Sequence, residues 1–239
     1  MNNNTEKIKK FSILTLLALF SLATQAQIVS SRTSMTTRQV IEKDLGEWST
    51  FYIQWNPSSI KPDGGSSESF NGYSIGYNKA ISLTQSQPIF LELGLAAQYS
   101  YKNKKDTNEG YISGYGWYSN DVESTFTMVS AKIPVQLDYV FNIPNTNIDL
   151  VPNLGLDLRF NIIGKVKQEA GGDSESIDLF DDDDMGDNAW KRFQIGWHIG
   201  INAMFNKQFM VGLSYGSDFS EIAEKTKINT TSLTVGLCF

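Results

Sequence analysis

The sequence has little with which to build a covalent or catalytic centre: one cysteine and one histidine among 239 residues. Cys238 has no second cysteine to pair with, so no internal disulfide stabilises the fold. The spacing of the remaining polar residues matches no nucleotide, haem or zinc motif. The sequence therefore predicts no cofactor and no metal.

Basic residues are also scarce, with 20 Lys and Arg against 26 Asp and Glu. Without residues 1–26, which hold three lysines and one glutamate, 17 basic and 25 acidic residues remain, a net charge of −8. Nucleic-acid binding needs clustered Lys and Arg to neutralise phosphates. This balance argues against nucleic acid as a partner.

Long apolar runs are absent after residue 26, and the single earlier run is short. Phe11 to Ala23 is apolar over thirteen residues, follows three lysines and precedes the small residues of Thr24-Gln25-Ala26. This arrangement is typical of a secretory signal peptide over residues 1–26, whereas a spanning helix needs ~20 apolar residues. The exported protein is then either soluble in the periplasm or crosses a membrane as strands.

A two-residue period is what the sequence does contain, and the last segment shows it most simply. One face of residues 229–239 is mostly apolar: Thr231, Leu233, Val235, Leu237 and Phe239. The opposite face is small or polar: Thr230, Ser232, Thr234, Gly236 and Cys238. The pattern indicates a β-strand with one apolar side that ends on an aromatic residue, as the last strand of an outer-membrane barrel commonly does.

Seven further segments have the same period. The eight predicted strands are about 48–57, 70–83, 89–101, 124–141, 148–163, 193–203, 209–215 and 229–239. The connections between them alternate long and short, which is typical of an outer-membrane barrel with short periplasmic turns. The sequence predicts an eight-stranded antiparallel up-and-down transmembrane β-barrel over residues 48–239, after a periplasmic segment over 27–47. A soluble β-sandwich or lipocalin-like barrel is the alternative.

The aromatic residues support the membrane interpretation, because they fall into two groups. Tyr139, Phe141, Phe205, Phe209 and Phe239 lie at the short-turn ends of the strands. Trp55, Tyr73, Tyr99, Tyr101, Trp190 and Tyr215 lie towards the long loops. Aromatic belts at both membrane interfaces select such a distribution. Pro134 and Pro152 fit less well, and we expect bulges or local edges there.

Several segments together resemble the small outer-membrane β-barrel domain family, often called porin-family proteins. They are residues 88–95, 132–137 and 152–156, together with the signal peptide, the eight strands and Phe239. The resemblance covers about residues 48–239, and it implies a fold and an outer-membrane location rather than an activity. Eight-stranded barrels usually have lumens that side chains fill.

Charged residues on the inward faces predict an ion-pair network in the lumen. A turn centred on 144–145 would place Lys132 opposite Asp157, and Ser130 opposite Arg159. The predicted network comprises Lys132, Asp157, Arg159 and His198. Buried charges need partners, so this network has a structural explanation, and a constriction in a narrow pore is the functional alternative.

Catalysis would need His198 as a base with a serine nucleophile, as in lipid A-modifying barrels. His198 points inward, and Ser214 lies inward on the next strand, but the spacing places no acidic third member beside them. We therefore predict no catalytic residues and no enzymatic activity.

One long loop is strongly acidic. Nine carboxylates lie within nineteen residues: Glu169, Asp173, Glu175, Asp178, Asp181, Asp182, Asp183, Asp184 and Asp187. Residues 181–187 partly imitate a calcium loop, but Met185 stands at the fifth position and no glutamate at the twelfth. We expect a solvated, disordered loop, with hard-cation binding as the alternative.

These observations predict a non-enzymatic barrel that presents surface loops in a structural or adhesive role. Its expected partners are outer-membrane lipids, lipopolysaccharide, and surface or periplasmic proteins. A narrow channel or a component of an envelope or secretion assembly is the second hypothesis. A lipid A-modifying enzyme is the third.

Overall fold

The computed structural model describes residues 46–61, 67–84, 86–112, 116–170, 173–186, 189–223 and 225–239. The predicted signal peptide, residues 1–26, lies outside the described residues, as does 27–45 of the predicted periplasmic segment. Within the described part of the chain, no helix is long and apolar enough to span a membrane.

Almost all of the described chain is antiparallel β-structure. The strands are β1 Trp48–Trp55, β2 Ser58–Lys61, β3 Glu68–Ser82, β4 Ile89–Ile112, β5 Gly116–Tyr139, β6 Phe141–Asn142, β7 Ile148–Ala170, β8 Asp173–Asp178, β9 Phe193–Phe205, β10 Phe209–Asp218 and β11 Lys227–Cys238. A four-residue helix, α1 Asp182–Met185, follows β8.

Eight of these strands close into a ring in the order β1-β11-β10-β9-β7-β5-β4-β3, with β3 pairing back to β1. The predicted eight-stranded antiparallel barrel is therefore confirmed. The predicted closure is confirmed as well, since Phe51 lies opposite Leu237 and Ile53 opposite Val235. Full closure leaves the ring without a free edge. The short strand β2 continues the ring above β1, and β6 and β8 pair with β7.

The outer wall is apolar along the strands, as the two-residue period predicts. In β11, Leu233, Val235 and Leu237 are 44%, 49% and 52% exposed, whereas the alternating Thr234 and Cys238 are buried. The two aromatic groups are likewise exposed, with one exception. Trp190 packs inward against Phe126, with ring centroids 5.9 Å apart, so its predicted place in the outer belt is wrong.

The register of the fourth and fifth predicted strands differs from the expected one. Phe141 pairs with Leu150, which centres the turn one residue later, beside the left-handed Asn145 at φ 62°. Every partner therefore shifts by two residues, and Lys132 lies opposite Arg159 rather than Asp157. Because a shift of two residues keeps each side chain on the same face of the sheet, the predicted assignment of these side chains to the lumen is still correct.

Neither proline is the site of a bulge. The register is constant across Pro134 and Pro152, and the one irregularity between β5 and β7 lies at Val129 and Ser130. Pro134 interrupts the ladder to β4 without shifting it, because it has no N–H to donate. Pro152 faces the break between β5 and β6, where the same argument holds.

Two predicted loops are largely strand. Residues 102–123 form the outer part of the β4–β5 hairpin, which is paired as far as Ile112 and Gly116. Residues 164–190 contain the end of β7, then β8 and α1. The described side chains of residues 102–107 and 165–178 are mostly polar and exposed, so these extensions lack the apolar alternation that lipid imposes on the wall strands.

Buried apolar side chains cluster in the lumen near both ends. At the short-turn end, one buried cluster comprises Trp48, Ala80, Phe90, Val151, Met204, Met210 and Cys238. At the long-loop end, another comprises Phe70, Met128, Ile222 and Ile228, with Ile60, Phe126 and Trp190 packed against it. We call these the inner plug and the outer plug.

Candidate functional site in the barrel lumen

A polar cavity lies in the lumen between the two plugs. It reaches Met210 of the inner plug at one end and Ile228 of the outer plug at the other. Its walls carry the predicted lumenal residues Lys132, Asp157, Arg159 and His198. The inward faces of the strands therefore surround a polar compartment rather than a fully packed core.

His198 contacts side chains from two other strands that line this cavity. Its Nδ1 lies 3.0 Å from Asp157 Oδ2, and its Nε2 lies 3.0 Å from Gln136 Oε1. Lys132 Nζ lies 3.7 Å from Asp157 Oδ1. The structure thus brings together Lys132, Asp157 and His198 as predicted, although Lys132 reaches Asp157 diagonally rather than from the opposite position.

Gly155 allows the contact between His198 and Gln136. It lies between them in one row of the sheet, opposite Gln136 on β5 and opposite His198 on β9. A Cβ at this position would lie 2.6 Å from Gln136 Cβ and 2.7 Å from His198 Nε2. Because Gly155 has no side chain, the side chains of Gln136 and His198 can meet in the space that it leaves.

The network continues from Gln136 to two carboxyl groups. Gln136 Nε2 donates to Asp138 Oδ1 at 3.0 Å and to Glu92 Oε1 at 3.3 Å. Asn78 Nδ2 donates to Glu92 from the other side. Glu92 and Asp138 are each 2% exposed. Their inward phase is visible in the sequence, but their link to His198 is not, because it depends on the register of four strands, β4, β5, β7 and β9.

Arg159 belongs to a second part of the lumen. It forms an ion pair with Asp218, and its Nε donates to Gln194 Oε1 at 3.0 Å. Asn161 Nδ2 donates to the same Gln194 oxygen at 3.0 Å. The expectation that Ser130 lies opposite Arg159 is wrong, because Ser130 pairs with Asn161 and donates to its Oδ1 at 2.7 Å.

Sequence reasoning missed Asp218 because it placed that residue in a loop. In the structure β10 continues to Asp218, which lies opposite Gly196. Continuing the two-residue period from Ser214 through Gly216 would have found it, since all three positions share the inward face.

The lumen contains an acid–base pair without a nucleophile beside it. Asp157 supplies the carboxylate that spacing alone did not place next to His198. Ser214 lines the same cavity, but both ring nitrogens of His198 contact Asp157 and Gln136. A nucleophile needs hydrogen-bond contact with its base, and none is present at His198 among the described residues.

The acidic segment is folded rather than disordered. Asp181 Oδ1 accepts from the backbone N–H of Asp183 at 3.0 Å, and Asp184 Oδ2 from that of Asp178 at 2.8 Å. Asp187 lies outside the described residues. Across the described ranges, no group of three or more His, Cys, Asp or Glu residues is placed to hold a metal ion.

A closed antiparallel barrel with an apolar wall and a polar interior defines an integral outer-membrane protein, because only helices and closed barrels satisfy every backbone group within lipid. The chain belongs to the outer membrane protein beta-barrel domain family, whose model matches residues 12–239. The protein is therefore located in the outer membrane, with its short turns on the periplasmic side.

Solved structures of outer-membrane barrels resemble this chain at low identity. Ail of Yersinia pestis, solved in complex with the heparin analogue sucrose octasulfate, is 18% identical, with 81% of this chain and 99% of that chain covered and a TM-score of 0.37. Neisserial surface protein A is 14% identical, with coverages of 81% and 97% and a TM-score of 0.41. The outer membrane enzyme PagL is 12% identical, with coverages of 77% and 97% and a TM-score of 0.38. No curated protein matches the chain.

Proposed function

We propose that this outer-membrane barrel is non-enzymatic and serves to hold its outward strands and loops for interaction. The observation that carries the proposal is the presence of a buried apolar cluster at each end of the lumen. In the inner plug, Trp48 and Phe90 pack against each other with ring centroids 4.5 Å apart. In the outer plug, Ile222 and Met128 are fully buried. An ion would have to pass two dry constrictions to cross the barrel.

The outward side supports the interaction role. The β4–β5 hairpin continues for the eleven residues of Lys102–Ile112 beyond the aromatic residue Tyr101. At ~3.3 Å per residue, this extension is about 35 Å long, which exceeds the thickness of the outer headgroup region. The described side chains of residues 102–107 are polar and mostly exposed. The barrel thus presents a large hydrophilic surface outside the lipid.

Planar-bilayer recording tests the proposal against a channel. The purified protein should give no discrete conductance steps. A matched variant with Phe90→Ala and Ile222→Gly removes one blocking side chain from each plug and should conduct small ions. Retained heat-modifiable migration on a gel would show that the variant is folded. Regular steps from the unaltered protein would contradict the proposal.

The polar cavity favours the narrow channel as the second candidate, because Lys132, Asp157 and Arg159 would form a charged constriction once the plugs opened. Membership of an envelope or secretion assembly is compatible both with a blocked lumen and with a conducting one. A lipid A-modifying activity is the third candidate and rests on the Asp157–His198 pair. Incubation with labelled lipid A should release no acyl chain, and acyl transfer lost in His198→Ala would favour the enzyme.

Every candidate function above has one partner in common, the lipid of the outer leaflet. Lys165 and Arg192 are exposed just beyond the lipid-facing Ile162 and Phe193, where lipopolysaccharide phosphates would lie. We infer that these two residues bind headgroup phosphates. Removing both charges should weaken retention of lipopolysaccharide during detergent purification, as phosphate analysis of the purified protein would measure.

A further inference from the structure

The barrel wall continues outward as a sheet with two open edges. Its strand order is β4-β5-β7-β8, and its outermost four-stranded row pairs Asp106 with Val122, Val122 with Ala170 and Ala170 with Asp173. Pairing between β3 and β4 ends at Tyr101, so Lys102–Ile112 has no second neighbour among the described strands. In the same part of the chain, β8 pairs with β7 alone. With respect to the described residues, both edges present unpaired backbone groups.

The two edges carry opposite charge. The β4 edge holds Lys102, Lys104 and Lys105, with Asp106 beyond them. The β8 edge holds Asp173, Glu175 and Asp178 and no basic residue. Lys102, Lys104 and Lys105 form surface ion pairs within the chain, and solvent screens such pairs, so they do not compete strongly with a partner.

The direction of the strands determines which edges can pair. Copies in one membrane are related by rotation about the membrane normal, and this rotation preserves the direction of every strand. β4 runs outward from a periplasmic turn, and β8 runs back towards the membrane after β7. Pairing of β4 with β4, or of β8 with β8, would be parallel and between like charges. Pairing of β4 with β8 is antiparallel and between opposite charges.

We propose that the protein binds a second copy of itself, the β4 edge of one copy pairing antiparallel with the β8 edge of the next. This head-to-tail contact uses different surfaces on the two partners, so it produces rings or open rows rather than twofold dimers. The proposal names the partner of the outer sheet, and in that respect it rests on the interaction role proposed above.

Thiol cross-linking between two differently tagged copies tests the contact. Asn103→Cys marks the β4 edge and Ser176→Cys the β8 edge, both without changing charge, in a Cys238→Ser background. With the two copies co-expressed and treated on intact cells with a short bis-maleimide, the mixed pair should give at least about fivefold more cross-linked product than either same-position pair, because like edges repel.

Charge reversal provides the matched control. Glu175→Lys in the copy that carries Ser176→Cys should abolish the excess of mixed-pair product. Adding Lys104→Glu to the copy that carries Asn103→Cys should restore that excess. Raising the salt concentration should lower the mixed-pair yield through screening. Heat-modifiable migration of each variant shows that its barrel is assembled.

Equal yields for the three pairings, or no product from assembled barrels, would overturn the proposed contact. Such a failure is distinguishable from failure of the proposed function, because the bilayer recording tests the lumen and does not depend on contacts between copies.

Discussion

At the scale of single residues, buried charge in this barrel is matched by contacts that cross strands. Arg159 and Asp218 have side chains only 7% and 9% exposed, and each is the other's ion-pair partner. Removing one member of a buried pair leaves the other without compensation, and this costs more than the pair contributes to stability. The fold is therefore sensitive to the loss of either member of the Arg159–Asp218 pair.

Arg159→Ala should lower the free energy of unfolding by about 3–5 kcal/mol, because Asp218 would stay buried without a cation. Urea titration of the protein in lipid bilayers would measure the change. The double variant Arg159→Ala, Asp218→Ala should lose less than the sum of the two single variants, since it leaves neither charge unpaired.

The exposed Lys191→Ala serves as the control, with an expected change within about 0.5 kcal/mol. An Arg159→Ala variant as stable as this control would show that the ion pair does not contribute to the fold.

At the scale of elements, β11 is the strand that closes the ring. It pairs with β10 along one side and with β1 along the other. The last residue takes part in the closure, because the N–H of Ser49 donates to Phe239 O at 2.8 Å and the N–H of Phe239 donates to Ser49 O at 3.0 Å. Its ring is 72% exposed on the lipid side near Tyr77.

Deletion of Phe239 should impair assembly in the outer membrane, because it removes two closing hydrogen bonds and an interfacial aromatic ring. The fraction of protein with heat-modifiable migration in isolated outer membranes would measure assembly. Phe219→Ala is the control, since Phe219 is exposed to a similar degree but lies outside the ring of strands. Normal assembly of the deletion variant would contradict the closing role of this residue.

At the scale of the whole molecule, the two ends of the barrel differ in chemistry and in length. Short turns and an apolar plug occupy one end, while the other carries a polar four-stranded extension beyond its plug. This asymmetry gives the barrel one orientation in the membrane, with the extension outside.

A membrane-impermeant maleimide added to intact cells should label Asn103→Cys on the extension, and leave Ser86→Cys in the β3–β4 turn unlabelled. Permeabilising the outer membrane should expose Ser86→Cys to the reagent. Both variants carry Cys238→Ser, so no native thiol competes. Labelling of Ser86→Cys on intact cells would mean that the barrel has the opposite orientation.

The barrel, its strand number and the inward or outward phase of each wall strand can all be predicted from the amino-acid sequence alone. Alternation along a strand is a local property of the pleat, and lipid outside and water inside select opposite residue types for the two faces. For this reason the two-residue period is enough to assign Leu233 and Val235 to the lipid, and Lys132 and His198 to the lumen.

Which inward residues meet depends on the three-dimensional fold. A turn centred one residue later places Lys132 opposite Arg159 rather than opposite Asp157, and the extent of β10 places Asp218 beside Arg159. The plugs bring together residues from distant strands. Which residues lie opposite each other depends on the register of the strands, and the two-residue period does not determine that register. The outer sheet could not be predicted for a related reason: its described side chains are mostly polar, so its strands carry no apolar alternation.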